Sequence, residues 1–469
     1  MASVKKNFIY NSAYQILTII LPLITAPYIS RVMGPSGVGT YSYTYSIANY
    51  FVLLAMLGVN NYGNRSIAMV RDNRAKLSET FWQIYYLQLF LSLIMAVLYI
   101  GFISLFDVNN FLIYILQFIY VISVAFDINW FCFGLEKFKL SVTRNTIIRL
   151  LITSAIFIFV KTNNDLWIYT LLMSLGTLVS QLVIWPFVLK NVDFVKPNFS
   201  KIKNHIKPNL ILFIPVVAVS LYRIMDKIML GLMSNTAEVG YFANTERVIN
   251  IPMGLITALG TVMLPRMSNL AVNGAYEKSK DYIEKSMLFV VFLSSALSFG
   301  LAGISTIFAP WFFGEKFSEV SNLISYMSPA IIFSSWASVI RTQFLIPNCK
   351  DNIYIISVIS GAVINILINL FLIPSYGALG AVIGSLFAEA TVCFLQTIMV
   401  GKELYFIRYF KKSIIFILFG GIMFICIRNL SALVIKPVFT LLIQIFFGAV
   451  IYLGLSLVYF FFLKKNKYI

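Results

Sequence analysis

The run IYIISVISGAVINILINLFLI, from Ile353 to Ile373, holds 21 residues and no charged side chain. An α-helix rises about 1.5 Å per residue, so such a run covers about 30 Å, the thickness of a bilayer's hydrocarbon core. Its two amides, Asn365 and Asn369, are spaced i,i+4 and share a helix face. They read as interhelical hydrogen-bonding groups rather than ligands.

Cutting the whole chain by the same rule, wherever a largely uncharged run ends in charge or turn residues, gives about fourteen segments. Their approximate limits are 8–31, 37–62, 81–105, 110–135, 141–160, 166–189, 208–233, 239–265, 286–310, 319–345, 353–373, 377–400, 413–430 and 438–463. The fifth is the weakest, because Arg144 and Arg149 leave a clean apolar run only from Leu150 to Val160. The expectation is an all-α polytopic membrane protein. Composition agrees: the 469 residues are 59% hydrophobic and 12% charged, with mean hydropathy +0.86. A water-soluble chain carries about 25% charged residues. A soluble enzyme and a disordered or fibrous chain are both excluded.

The formal charge of +18, from 36 Lys and Arg against 18 Asp and Glu, would suggest nucleic acid in a soluble domain. Here it follows topology. With the segments alternating in direction, 28 basic residues fall on one side and 5 on the other, while Arg223, Lys227 and Arg247 stay inside spans. Cytoplasmic loops collect Lys and Arg, so both termini are expected in the cytoplasm. The first span is expected to be retained, since no small-x-small cleavage site follows it. A bacterial plasma membrane is the expected location. The four cysteines (Cys132, Cys349, Cys393, Cys426) lie too far apart for a metal site and read as apolar filler. The single histidine, His205, lies in a Lys-rich stretch and reads as a solvated loop residue.

External connections are short, as at Met33 to Ser36, 106–109, Lys161 to Asp165, Ser234 to Glu238 and Ile373 to Tyr376. No extramembrane segment exceeds about 20 residues, which leaves a membrane-bound glycosyltransferase or polymerase no room for a catalytic domain. Val38-Gly39-Thr40-Tyr41 and Val239-Gly240-Tyr241-Phe242, 201 residues apart, hint at an internal repeat. The expected organisation is a six-helix lobe at 1–200, a second at 201–405 and two additional helices at 406–469. Pro22, Pro27, Pro215, Pro252 and Pro329 are expected to bend their helices.

An ionisable group at mid-membrane costs about 2.5–3.5 kcal/mol on insertion scales. Buried charge is therefore the best pointer to function. Arg223, Asp226 and Lys227 share one face of span seven. Glu246 and Arg247 lie on span eight and Glu389 on span twelve. Two readings stand: the charges neutralise one another to lock helices together, or they face a water-filled cavity and offer a surplus cation to an anionic head group. Asp127 and Trp130 close span four, where the tryptophan by itself reads as an interfacial anchor. No Walker A loop, DNA-binding module, nucleophile elbow or His/Cys metal spacing is found, so ATP hydrolysis and cofactors are not expected.

Several stretches resemble the polysaccharide-unit (Wzx-type) flippases of the multidrug/oligosaccharidyl-lipid/polysaccharide exporter superfamily. In the N-terminal half these are Arg31-Val32-Met33-Gly34-Pro35-Ser36-Gly37-Val38-Gly39-Thr40-Tyr41, Leu57 through Gly63 with Arg65 and Arg71-Asp72, and Asp127-x-x-Trp130-Phe131-x-x-Gly134-x-Glu136. In the C-terminal half they are Asp226-Lys227-Ile228-Met229-Leu230-Gly231, Val239-Gly240-Tyr241, Leu264-Pro265-Arg266 and Ile373 through Ala381. Each is short, and their order along nearly the whole chain carries the likeness.

The resemblance implies two six-helix lobes around a central cavity that opens alternately to each side. The implied substrate is an undecaprenyl-pyrophosphate-linked oligosaccharide, for capsule, exopolysaccharide or O-antigen assembly. Arg223, Lys227 and Arg247 would receive the pyrophosphate. Asp226, Glu246, Glu389 and Asp127 would be the coupling or cavity carboxylates, and Arg31 and Arg65 a gate or rim. Membrane lipids, a polysaccharide polymerase and chain-length machinery are the implied partners, and nucleic acid is not. A peptidoglycan precursor or drugs would be the alternative cargo of the same fold. Phe133 stands where relatives often have glutamine, and span one has no interior arginine.

Overall fold

The computed structural model describes residues 2–105, 110–196, 198–432 and 436–465. The expected turn at 106–109 and the terminal Lys467 lie outside them, and no side chain is described for residues 1–20 or 462–469. Among the described residues every regular element is helical. Eleven helical segments are long and apolar enough to cross a membrane, or thirteen when each of two bent pairs is counted as one span. Among the described residues the expected count of fourteen is not confirmed. One reason is that the first two expected spans run together in a 50-residue segment, Leu21–Val70.

The chain forms two compact units, Met1–Ser220 and Leu221–Ile469. The first holds α1 (Ala2–Met56), α2 (Val59–Val70), α3 (Arg74–Leu105), α4 (Phe111–Ser123), α5 (Asn129–Gly134), α6 (Phe138–Phe159), α7 (Leu166–Leu182) and α8 (Trp185–Asn191). It ends within α9 (Phe199–Arg223). Helix α1 is broken at Gly34, whose φ of 67° and ψ of −179° are open only to glycine, and Pro35 holds the break. Pro22 and Pro27 lie inside α1 without ending it.

The core of this unit gathers Phe81, Ile84, Ile128, Trp130 and Phe131. Trp130 is fully buried and donates its indole N–H to Gln88 Oε1 at 2.9 Å, so it is a core residue and not an interfacial anchor. A Cβ on Gly63 would lie 2.7 Å from the Trp130 ring, and one on Gly134 would lie 2.6 Å from Ile67. The glycines of the Leu57–Arg65 and Asp127–Glu136 stretches thus let α2 and α5 approach closely.

The second unit holds α10 (Met225–Met233), α11 (Thr236–Val272), α12 (Tyr276–Phe313), α13 (Val320–Met327), α14 (Ala330–Ile340), α15 (Asp351–Tyr376), α16 (Ala378–Met399), α17 (Phe406–Asn429) and α18 (Pro437–Lys465). Pro329 separates α13 from α14 as expected. Helix α11 bends by 43° between Thr257 and Val262, about a turn beyond Pro252. The backbone also breaks at Pro215, whose side chain is outside the described residues. Glu238 accepts from the Ala378 backbone N–H at 2.7 Å and so caps α16, with Gly377 (φ 52°) leaving room for its carboxylate. Helices α17 and α18 pack on α12 through Phe416, Met423, Ile427, Tyr452 and Phe292.

The two units close one helix alike. Glu136 (φ 57°) and Cys349 (φ 55°) both adopt the left-handed conformation. The following N–H then reaches back in each case, Lys137 to Cys132 O and Lys350 to Leu345 O, both at 2.9 Å.

Candidate functional site

The second unit contains a small half-open cavity of about 60 Å³. Arg223, Asp226, Glu246, Ser334, Ser385 and Glu389 line it, together with Phe242, Met253 and Met327. On α11, Phe242, Glu246, Ile249 and Met253 recur at three- and four-residue steps, which places one helix face on the cavity. On α16, Ser385 and Glu389 do the same at i,i+4.

Asp226 is 1% exposed. Asn369 on α15 donates to its Oδ1 at 2.6 Å, and the Ser385 hydroxyl donates to its Oδ2 at 2.6 Å. Its named hydrogen-bond partners are neutral. Asn365 accepts from Asn369 at 3.3 Å within α15, and of the two amides of the Ile353–Ile373 run Asn369, bonded to Asp226 of α10, joins helices as read from the sequence. A Cβ at Gly384 would lie 2.1 Å from Asn369 Oδ1, so glycine is what admits this amide.

The other carboxylates have cations. Lys227 Nζ lies 2.5 Å from Glu246 Oε2, with both side chains about one-fifth exposed. Glu389 interacts with Arg223, with the Ser334 hydroxyl and with Arg341. Arg247 turns to its own helix and donates to Asn244 Oδ1 at 3.0 Å. Of the three expected substrate-binding cations, Arg223 alone is among the residues lining the cavity. Arg341, counted as a loop residue from the sequence, is half-buried at the start of a π-helical segment, Arg341–Leu345.

The remaining candidates belong to the first unit. Asp127 lies two residues before the start of α5: its Oδ1 accepts from the Asn129 backbone N–H at 3.1 Å and from Asn129 Nδ2 at 2.7 Å. Arg31 on α1 and Arg65 on α2 are exposed. Two residues of this unit were misplaced by sequence reasoning. Arg144, within the expected segment 141–160 but counted among the cytoplasmic charges, lies inside α6 and is 7% exposed. It donates through Nη2 to Asn129 Oδ1 and to Asn145 Oδ1, both at 2.8 Å. His205 lies in α9, half-buried, with both ring nitrogens in hydrogen bonds. Lysines on its exposed flanks made that segment read as a loop. The i,i+4 spacing of His205 and Asn209 was the available signal for a helix.

A long-helix membrane fold with a charged intramembrane cavity is that of a transporter. The family described as "Polysaccharide biosynthesis protein" matches residues 4–271, and the chain belongs to that family. A protein named "Putative O-antigen transporter" from Escherichia coli (strain K12) is 24% identical over 403 residues, covering 85% of this chain and 96% of that one. Among solved structures, an inward closed conformation of the lipid II flippase MurJ superposes with a TM-score of 0.76 at 16% identity, covering 97% of this chain and 99% of that one. An inward-facing multidrug resistance transporter of the MATE family, in the MOP superfamily, gives 0.58 at 15% identity over 89% of this chain and 96% of that one. The fold is therefore of the MurJ and MATE type, and the relative and structural neighbours above are named as transporters or flippases, not enzymes.

Proposed function

We propose that this protein is a flippase that moves undecaprenyl-pyrophosphate-linked oligosaccharide repeat units from the inner to the outer leaflet of a bacterial plasma membrane. The products serve capsule, exopolysaccharide or O-antigen assembly. The observation that carries the reading is the half-open cavity with Arg223 on its wall, in a chain of the polysaccharide biosynthesis family. An arginine fork matches two phosphate oxygens, and a low-dielectric wall strengthens that bond.

In the proposed cycle the isoprenoid tail stays in lipid while the head group crosses a hydrated path between two lobes that rock alternately. The lobes correspond to residues 1–200 and 201–405, with 406–469 appended and both termini cytoplasmic. Arg223 shares the cavity wall with Glu389, and phosphate would replace the attraction between their charges. Lys227 is held by Glu246, and Arg247 by Asn244, so both serve as reserve cations reached only by rearrangement. Asp226, held by an amide and a hydroxyl, is the carboxylate best placed to take up a proton or a sodium ion, which would lower the negative charge of the cavity before an anion enters.

The test is leaflet transfer of a fluorescent undecaprenyl-pyrophosphate oligosaccharide in liposomes containing the purified protein. Transfer is expected, with and without imposed proton and sodium gradients distinguishing the coupling ion. No transfer under any gradient overturns the reading.

A further inference from the structure

The first unit contains a hydrogen-bond chain that transport through the second unit's cavity does not use. His205 on α9 meets Tyr62 of α2 through Nδ1 at 2.6 Å and Gln83 of α3 through Nε2 at 2.8 Å. The direction of every donor in the chain is fixed. Gln83 Nε2 donates to Glu79 Oε1 at 3.1 Å, so its amide oxygen faces the imidazole and must accept. Nε2 of His205 therefore carries the hydrogen, and Nδ1 accepts from the Tyr62 hydroxyl. Glu79, where the chain ends, is also held by Lys201 one turn before His205. Neutral His205 is thus fully satisfied and ties three helices together.

Adding a proton changes this. With both ring nitrogens donating, the Tyr62 hydroxyl must turn from donor to acceptor, and its own hydrogen loses its partner. The new charge sits in a half-buried niche on helices whose acids are already engaged: Glu79 pairs with Lys201 and Asp193 with Arg74, while Arg65 on α2, Lys76 on α3 and Lys203 and Lys207 on α9 are further, exposed cations. Glu79 is the carboxylate in this chain, and Lys201 already holds it.

A second observation lies one turn further along α9. Asn209 is fully buried, and among the described residues neither its amide oxygen nor its amide nitrogen has a hydrogen-bond partner. Its backbone carbonyl is pressed beneath Gly58, where a Cβ would lie 2.3 Å away. A buried amide with no partner is a standing cost of this arrangement, removed when water reaches it. The seam between α9 and the α1–α2 junction therefore holds both a fastening, at His205, and a reason to open, at Asn209.

We propose that this part of α9 is a proton-operated latch. With His205 neutral it is fastened to α2 and α3; with His205 protonated it lifts and Asn209 becomes hydrated. Helix α9 is the element through which the chain passes from the first unit to the second, so the latch acts on the connection between them.

The latch is tested without any transport assay, so its failure is distinct from failure of the flippase reading. Spin labels are placed at Asn61→Cys and Lys203→Cys, both exposed positions, in full-length protein in lipid nanodiscs with the exposed Cys349 and Cys426 replaced by serine. Distances are measured by pulsed electron resonance at pH 8 and pH 5. One short distance is expected at pH 8, with a second, longer population at pH 5. His205→Gln is expected to abolish the pH-dependent population, and Tyr62→Phe to populate it at both pH values. A distribution in the parent protein that does not change with pH overturns the proposal, as does the same shift in His205→Gln. Should that variant not fold, Asn209→Leu decides: removing the unpaired amide is expected to cut the longer population at pH 5 severalfold, and an unchanged population overturns the latch.

Discussion

Each unit of this protein sets an aspartate beside an asparagine, half-buried at Asp127 and fully buried at Asp226, and the two sites differ in what surrounds them. In the first, Asn129 stands between Asp127 and Arg144, donating to the carboxylate at 2.7 Å and accepting from the guanidinium at 2.8 Å. Its remaining capacity goes to the Ser141 hydroxyl and to Gln181. The amide is saturated, and opposite charges are joined through it. In the second, Asn369 and Ser385 hold Asp226 from neutral groups, and the carboxylate lines an open cavity. A closed polar network of the first kind fixes helices in register. A carboxylate of the second kind keeps its charge available for a cation.

The comparison is broken most forcefully at Arg144. Arg144→Met removes the charged donor from Asn129 and Asn145, leaving them only the Ser141 and Ser180 hydroxyls, and takes the opposite charge away from Asp127, so it is expected to cost about 3 kcal/mol of stability. Denaturant unfolding of the purified protein in detergent measures it. Transport per folded molecule should be unchanged. A loss of transport at full stability would make the first site functional and erase the contrast.

A smaller loss is expected from the other unit when Gly384 is changed to alanine. The new methyl would fall 2.1 Å from Asn369 Oδ1 and drive that amide off Asp226. Overpacking of this kind costs about 2 kcal/mol. Because the displaced partner serves the cavity, transport per folded molecule should fall as well. Stability lost with transport per folded molecule intact would show that Asn369 only braces helices.

Asp226→Asn sharpens the same point without adding volume. The amide retains an acceptor but no charge, so the unfolding midpoint should move little. Transport is expected to fall roughly tenfold, equivalent to about 1.4 kcal/mol on the rate-limiting barrier. Equal loss in both assays would mean that Asp226 is structural, like Asp127.

The sequence carried the helical membrane class because a 21-residue uncharged run has few other uses, and Gly34-Pro35 carried the first break because that backbone geometry admits little else. It carried Arg223, Asp226, Glu246 and Glu389 as individual costs, since ionisable groups stand out against an apolar window. Their convergence on one cavity was hidden, because it depends on how α10, α11, α14 and α16 pack. Neutral partners were hidden as well: nothing marks Ser385 or Gln88 until a carboxylate or an indole lies opposite. Arg144 and His205 were misread for one reason. A window rule assigns a cation near a span's end to the loop, whereas a helix can turn one residue inward and its neighbours outward. The span count of fourteen was not confirmed, because α1 runs on through its break.

The smallest effect is expected at a third aspartate, which shows what burial contributes to the other two. Asp193 meets Arg74 at 2.7 Å, as close as the bonds around Arg144, but both side chains are more than 60% exposed. The Arg74 guanidinium holds the Asp193 carboxyl below its ordinary value, chiefly through their hydrogen bond. A carboxyl lowered on folding contributes stability above its unfolded pKa, and that contribution is lost as pH falls through the folded value, here below about pH 4. Asp193→Asn should therefore leave the unfolding midpoint nearly unchanged at neutral pH and converge fully with the parent protein below that range. Added salt should shrink whatever difference remains, because exposed pairs are screened. A neutral-pH loss as large as that of Arg144→Met would show that pairing, and not enclosure, stabilises these sites, and the contrast between the two units would lose its physical basis.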